Sequence, residues 1–308
     1  MAVYQINENI KFTRESLGMT QEELCDGVCS TETLSRIETG KHTPNRTTYK
    51  KLMEKMGKNG EKYLSFICSE DIHVHLEKEK IDNLMKIYNY EELDQILPEF
   101  EKKLNTNNIV NKQYILKLHA MTDYRLHRID IIEQQKQLIT ALRCTIPSYQ
   151  EGTVPQKLFT REEIVLLCNI AVTYYENNDF DTALSMLFKL ENYFQTTHID
   201  LKERAATEIL LLSNLSQCLG RHGDIKKAQK IIERAIKLSF NGNVCGALAH
   251  LFYNFAFGNE LLKEDSTLCK EQLIQSYYIA ETCKDSFRME HTKKHIKNIY
   301  GKDFTNLY

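Results

Sequence analysis

Met19-Thr-Gln-Glu-Glu-Leu-Cys-Asp-Gly-Val-Cys-Ser-Thr-Glu-Thr-Leu-Ser-Arg-Ile-Glu-Thr-Gly-Lys-His-Thr-Pro44 is the stretch that decides the reading of this chain. Thr20-Gln-Glu-Glu23 has the form of a capping box, a hydroxyl followed three residues on by a carboxylate. A helix therefore starts at Thr20, and it breaks near Asp26-Gly27. Ser30 or Thr31 caps another helix that runs to about Thr39 and stops at Gly40. Two short helices joined by a tight turn form the unit that lays its second helix in the DNA major groove.

The flanks complete a small helical domain. Ile6 to Leu17 reads as a first helix, with Ile6, Ile10, Phe12 and Leu17 available for a core, and Gly18 ends it. Pro44-Asn45 opens a fourth helix that carries Tyr49, Leu52, Met53 and Met56, closed by Gly57. A fifth, roughly Glu61 to Cys68, ends the unit. In helix-turn-helix geometry the start of the recognition helix faces base edges. That places Ser30, Thr31, Glu32 and Ser35 there, with Thr31 and Glu32 as the base readers. A Glu can accept from cytosine N4. Gln21, at the start of the preceding helix, is placed to donate to phosphate. Arg36, Lys41 and Arg46 are candidate phosphate contacts, which position the domain without reading sequence.

Ile10 to Gly57 resembles the Xre/phage-repressor helix-turn-helix family. The turn Leu24-Cys-Asp-Gly-Val-Cys29 is one residue shorter than the usual repressor pattern, and in this it resembles the Rgg/PlcR (RRNPP-type) branch of peptide-responsive regulators. The resemblance implies that Arg14, on the first helix, pairs with Glu38, after the recognition helix, as a structural ion pair. It also implies a secreted signalling peptide taken back into a Gram-positive cell.

Composition sets the class. The chain has 308 residues, 42% hydrophobic and 27% charged, enough for two domains. Twelve Gly and four Pro are too few for the many tight turns of a sheet-rich fold. Apolar spacing at three and four residues predicts an all-α protein. Net charge is −2, but Arg36 to Lys62 holds eight Lys/Arg against three Glu, a basic patch confined to one domain. Nine cysteines without a paired framework suit reduced thiols in a cytoplasmic protein. The first residues lack the charged start and apolar centre of a signal peptide, and no apolar run approaches a membrane span.

From His73 onward the chain reads as stacked helix pairs. Asn169-Ile-Ala-Val-Thr-Tyr-Tyr-Glu-Asn-Asn-Asp-Phe-Asp-Thr-Ala183 overlays Asn214-Leu-Ser-Gln-Cys-Leu-Gly-Arg-His-Gly-Asp-Ile-Lys-Lys-Ala228. A third copy begins at Asn254-Phe-Ala with an apparent insertion around Lys263–Ser266. Weaker copies lie at Ile81–Leu104 and Tyr114–Leu142, and Asp285 to Tyr300 is a polar capping helix. The pattern resembles tetratricopeptide repeats, in which a small residue (Ala183, Ala228) lets two helices approach closely. Spacings of 45 and 40 residues imply longer helices or loops than that family's. The division is thus 1–68 for the DNA-binding domain, 69–72 for a linker and 73–308 for a right-handed superhelix that binds peptide and dimerises.

First helices of such pairs line a concave groove. Asn169, Asn214 and Asn254 fall at equivalent places on three of them. A carboxamide both donates and accepts, which matches the main chain of an extended peptide whatever its side chains. Tyr175, Gln217, Arg221, Tyr253 and Phe257, with Val172 and His250, are groove neighbours in the same register. Arg221 is the candidate for a ligand carboxylate. The expectation is a dimeric, peptide-controlled regulator on a palindromic double-stranded operator, with no enzyme activity, no cofactor and no metal. Cys25 with Cys29, and His291 with His295, are only half of any zinc site. No phosphate loop, Gly-x-Ser-x-Gly or His-Glu-x-x-His occurs. The rival readings are a protein-interaction module tethered to DNA, a repressor that needs no peptide, and a repeat protein like the aspartyl-phosphate phosphatases, which lack a helix-turn-helix.

Overall fold

The computed structural model describes residues 6–42, 44–56, 72–104, 106–157, 159–196 and 201–301. The expected fifth helix at 61–68, Gly57 and the 69–71 part of the linker lie outside them. The described residues are all-α, with no strand. They divide into two compact units: residues 1–83 with 95–111, and residues 84–94 with 112–308.

In the first unit, α1 (Ile6–Ser16), α2 (Gln21–Cys25), α3 (Thr31–Glu38) and α4 (Arg46–Lys55) follow the caps the sequence offers. Thr20 makes both halves of the capping box with Glu23. Ser30 accepts from the Thr33 amide, and Asn45 from the Thr48 amide. α3 packs on α1 and α2, and α2 on α4. Ile10, Leu24, Leu34, Ile37, Tyr49, Leu52, Met53 and Met56 form the core. Leu17 departs from expectation: it lies past the last helical turn, beside left-handed Gly18, and is 48% exposed. The side chains of Ile6 and Phe12 lie outside the described set.

The remaining helices are α5 (Ile72–Lys86), α6 (Tyr90–Lys103), α7 (Ile109–Arg125), α8 (Ile131–Arg143), α9 (Arg161–Glu176), α10 (Phe180–Thr196), α11 (Leu201–Arg221), α12 (Ile225–Asn241), α13 (Leu248–Leu261), α14 (Ser266–Thr282) and α15 (Ser286–Tyr300). In the second unit α9, α11, α13 and α15 pack side by side in one layer, each also packed on its chain neighbours α10, α12 and α14. Ala183 and Ala228 are buried in the pair interfaces as expected. The third copy is more regular than its sequence suggests. Its turn Asp265 comes 11 residues after Asn254, where Asp179 and Asp224 come 10 after Asn169 and Asn214. The insertion is therefore one residue, and fully buried Cys269 takes the place of the small Ala.

Seven helix ends beyond residue 84 share one turn. Tyr88, His127, Asn178, Gly223, Asn243, Lys263 and Lys284 all have positive φ. After each, an amide reaches back five residues to a helix carbonyl: Asn89 to Leu84, Arg128 to Asp123, Asp179 to Tyr174, Asp224 to Leu219, Val244 to Ser239, Glu264 to Asn259 and Asp285 to Ala280, at 2.8–3.0 Å. This is the left-handed helix cap that glycine usually supplies, as Gly18 and Gly40 do in the first unit. Of these seven, Gly223 alone is glycine. Lys263 (φ 58°) is exposed, so Lys263→Gly is expected to raise the stability of this unit by about 0.5–1 kcal/mol, read as an upward shift of its thermal transition.

Candidate functional site

In the first unit the caps hold α3 with its N-terminal face open. Thr31 and Glu32 are exposed, and Ser35 is half-buried. The Ser30 hydroxyl caps the helix and lies 2.8 Å from Thr33 Oγ1, so it is engaged locally. Thr31 Oγ1 sits 3.4 Å from Cys25 Sγ across the turn. Arg36 and Lys41 are exposed and have no ion pair among the described residues. The Arg46 side chain lies outside the described set, although its backbone opens α4.

Behind this face lies the ion pair the resemblance implied. Arg14 Nε donates to Glu38 Oε1 at 2.6 Å and Nη2 to Oε2 at 2.9 Å, a two-pronged contact buried on both sides. Arg14 Nη1 also donates to the Met19 carbonyl at 2.8 Å, which fixes the chain leading into α2. The hydrogen bond to Glu38 holds the guanidinium above its ordinary range. Gln21 has a role that the sequence did not disclose: its Nε2 donates to Glu38 Oε2 at 2.7 Å. One side chain thus ties α1, α2 and the end of α3 together. Lys55 Nζ donates to the Asp26 carbonyl at 2.5 Å and ties α4 to the turn.

In the second unit the sequence-selected residues of α9, α11 and α13 meet on one layer. Tyr175 O–H donates to Gln217 Oε1 at 3.3 Å. Gln217 Nε2 lies 3.1 Å from His250 Nε2, as does Asn254 Nδ2. Ser213 Oγ, which the sequence reading did not select, is 2.7 Å from the same ring nitrogen. Arg221 stacks over Tyr175 at 5.0 Å and pairs with Glu176 at 3.0 Å. Asn169 and Asn214 are half-buried and have no hydrogen-bond partner among the described residues. Tyr253 stacks parallel to Phe257, which is 44% exposed, and its hydroxyl lies 3.2 Å from His295 Nδ1. His295 in turn meets Glu260 at 2.7 Å, and Tyr300 donates to the same carboxylate. Ser213, Glu260 and His295 had no signal in the repeat register, because their roles depend on contacts between helices.

A separate cleft of about 590 Å³ lies between residues 154–157, Phe159 and α10, lined by Phe159, Phe188 and Tyr193 with Lys157 and Lys189. It contains none of the selected residues. Among the described residues there is no cluster of His, Cys, Asp and Glu that could hold a metal, and no helix long and apolar enough to cross a membrane.

Residues 10–62 match the family described as Helix-turn-helix. The chain carries a helix-turn-helix domain. No curated protein sequence matches the chain. Among solved structures it is similar to PlcR of Bacillus thuringiensis in complex with the peptide PapR7 and DNA, with a TM-score of 0.73, 16% identity, and cover of 94% of this chain and 99% of that one. It is similar to the apo form of PlcR at a TM-score of 0.57, 16% identity, 96% of this chain and 100% of that one. ComR from S. thermophilus, in complex with DNA and its signalling peptide ComS, matches at 0.55, 15% identity, 94% and 98%. The helix-turn-helix followed by a helical repeat body is thus the fold of PlcR and ComR, end to end. This agrees with the family resemblance carried by Ile10–Gly57 and its short turn Leu24–Cys29, and with the all-α class.

Proposed function

We propose that the protein is a cytoplasmic DNA-binding transcription regulator, not an enzyme, controlled by a short peptide held on the α9–α11–α13 layer. In this reading residues 1–68 read DNA, 69–72 link, and 73–308 bind peptide and dimerise. A dimer would set two α3 helices about one DNA turn (~34 Å) apart on a palindromic operator. The observation that carries the DNA half is the α3 face, with Thr31 and Glu32 exposed and Arg36 and Lys41 beside them, backed by the Arg14–Glu38–Gln21 tie. The match of residues 10–62 supports it. The peptide half draws support from the gathered carboxamides of α9, α11 and α13, and from a fold shared with PlcR and ComR, both solved with a peptide and DNA. Gln21 enters as a positioning residue in the ion-pair tie, with its second N–H left for phosphate.

Binding to the DNA upstream of the gene, titrated against salt by fluorescence anisotropy, tests the assignment. Arg36→Ala and Lys41→Ala should each weaken binding alike on every duplex and flatten the slope of log K against log salt by about 1. Thr31→Ala and Glu32→Gln should instead change the preference among operator bases, by about 1–3 kcal/mol. An Arg36→Ala slope equal to that of the unmodified chain contradicts the placement.

A further inference from the structure

His250 stands where the polar groups of α11 and α13 converge. Three polar groups meet at its Nε2: Ser213 Oγ at 2.7 Å, Gln217 Nε2 at 3.1 Å and Asn254 Nδ2 at 3.1 Å. Gln217 must offer its N–H side, because its Oε1 already accepts from Tyr175. The ring nitrogen is therefore the acceptor, and the imidazole proton sits on Nδ1. Burial, with the charges of Arg288 and His291 adding to it, pushes the imidazolium down to about 3, so the ring is neutral at physiological pH.

One ring lone pair shared among three donors leaves each donor with spare capacity. Asn254 keeps its Oδ1 and one N–H. Gln217 keeps one N–H. Asn169 and Asn214, in the same layer, have no partner among the described residues to fix which way their amides face. The arrangement around His250 is different, because its acceptor allows only one orientation of the two amides. Were the ring to donate from Nε2, Gln217 would have to flip and give up Tyr175.

From this geometry we infer that His250 is a positioning residue for ligand recognition: it turns the Asn254 and Gln217 carboxamides so that their unused edges meet the main chain of an extended peptide. The inference rests on the peptide reading proposed above. It adds which residue sets the donor and acceptor pattern that the peptide meets.

The test uses the full chain and a displayed library of random octapeptides, with affinities measured for the sequence enriched on the unmodified protein. His250→Phe, which removes the acceptor, should weaken that peptide about tenfold or more. His250→Gln, whose amide oxygen restores an acceptor, should return affinity to within about threefold of the starting value. In an Asn254→Ala, Gln217→Ala background, His250→Phe should change nothing further, which a merely structural loss would not reproduce. Nitrogen-15 spectra of the unmodified protein should show an unprotonated Nε2 in His250, a readout that needs no variant to fold. Equal losses in both backgrounds, an unaffected His250→Phe variant, or an Nε2-protonated ring overturns the inference and leaves the peptide reading standing. A library that enriches no sequence overturns the peptide reading itself, and the inference with it.

Discussion

Glu38→Ala is expected to be the most damaging single change in the helix-turn-helix unit. Glu38 is 5% exposed and receives both prongs of Arg14 as well as the Gln21 amide. Removing it strands an arginine that is itself 9% exposed, with the Met19 carbonyl and half-exposed Glu15 as its remaining partners among the described residues. Removing one partner of a buried ion pair costs about 3–5 kcal/mol, because the other charge stays buried without compensation. A small helical unit has little more stability than that. Its thermal transition, followed by circular dichroism, should fall far below that of the full chain or vanish, while the transition of the repeat unit stays in place. DNA binding should go with it. Arg14→Met should also be strongly destabilising, since it leaves the Glu38 carboxylate buried with the neutral Gln21 amide as its remaining partner among the described residues. Equal melting of Glu38→Ala and the unmodified chain would show that the pair contributes nothing.

The second large effect is expected at Gly258, in the last turn of α13. A Cβ placed there would run into the side-chain amide of Gln229. That amide has no room to yield. Its Nε2 donates to the Phe255 carbonyl at 2.9 Å and to Asn259 Oδ1, and Asn259 Nδ2 donates to Gln272 Oε1 at 3.1 Å. The three amides form a buried ladder across α12, α13 and α14. Gly258→Val would displace Gln229, open the ladder and leave buried amide groups without partners. Overpacking costs about 1–3 kcal/mol, and each orphaned buried polar group about 1–3 kcal/mol more. The total should exceed 3 kcal/mol and appear as a lower denaturant midpoint for the repeat unit. Gly258→Val combined with Gln229→Ala should recover part of the loss, because the colliding group is gone. If the double variant is no better than the single one, the clash is not the cause.

How much of this was legible in the sequence depends on whether the signal was local. Thr20, Ser30 and Asn45 fix the starts of α2, α3 and α4 through bonds to amides three residues away, so residue type and spacing suffice. The repeat register was legible where Asn178 or Gly223 marks the turn, since these residues tolerate positive φ. It faded where Tyr88, His127, Lys263 and Lys284 take the same conformation, because nothing in those side chains announces a left-handed turn. Cys269 hid the third copy in a similar way, a small thiol in the place of Ala. The contacts between helices were out of reach. Gln229, Asn259 and Gln272 have the polarity of surface residues and lie buried. Gln21 at a helix start suggested a phosphate donor, and only the folded arrangement places Glu38 beside it. The Arg14–Glu38 pair was accessible only through family resemblance, being separated by 24 residues. On the α9–α11–α13 layer the register grouped Tyr175, Gln217, His250 and Asn254, which the structure brings together, but it treated three asparagines as equivalent. The structure separates them, since Asn254 is held by His250 and the other two are not.

Peptide control of DNA binding requires a coupling between two sites: what binds the α9–α11–α13 layer must change how firmly α3 holds DNA. The direct measurement is the affinity of the full chain for its own upstream DNA, at fixed salt, with and without a saturating amount of the enriched octapeptide. The expected result is a change of about fivefold or more in either direction, matched by an equal change in peptide affinity when DNA is saturating, as linkage requires. A peptide that binds tightly and leaves DNA affinity the same, in both directions of the experiment, would contradict the account.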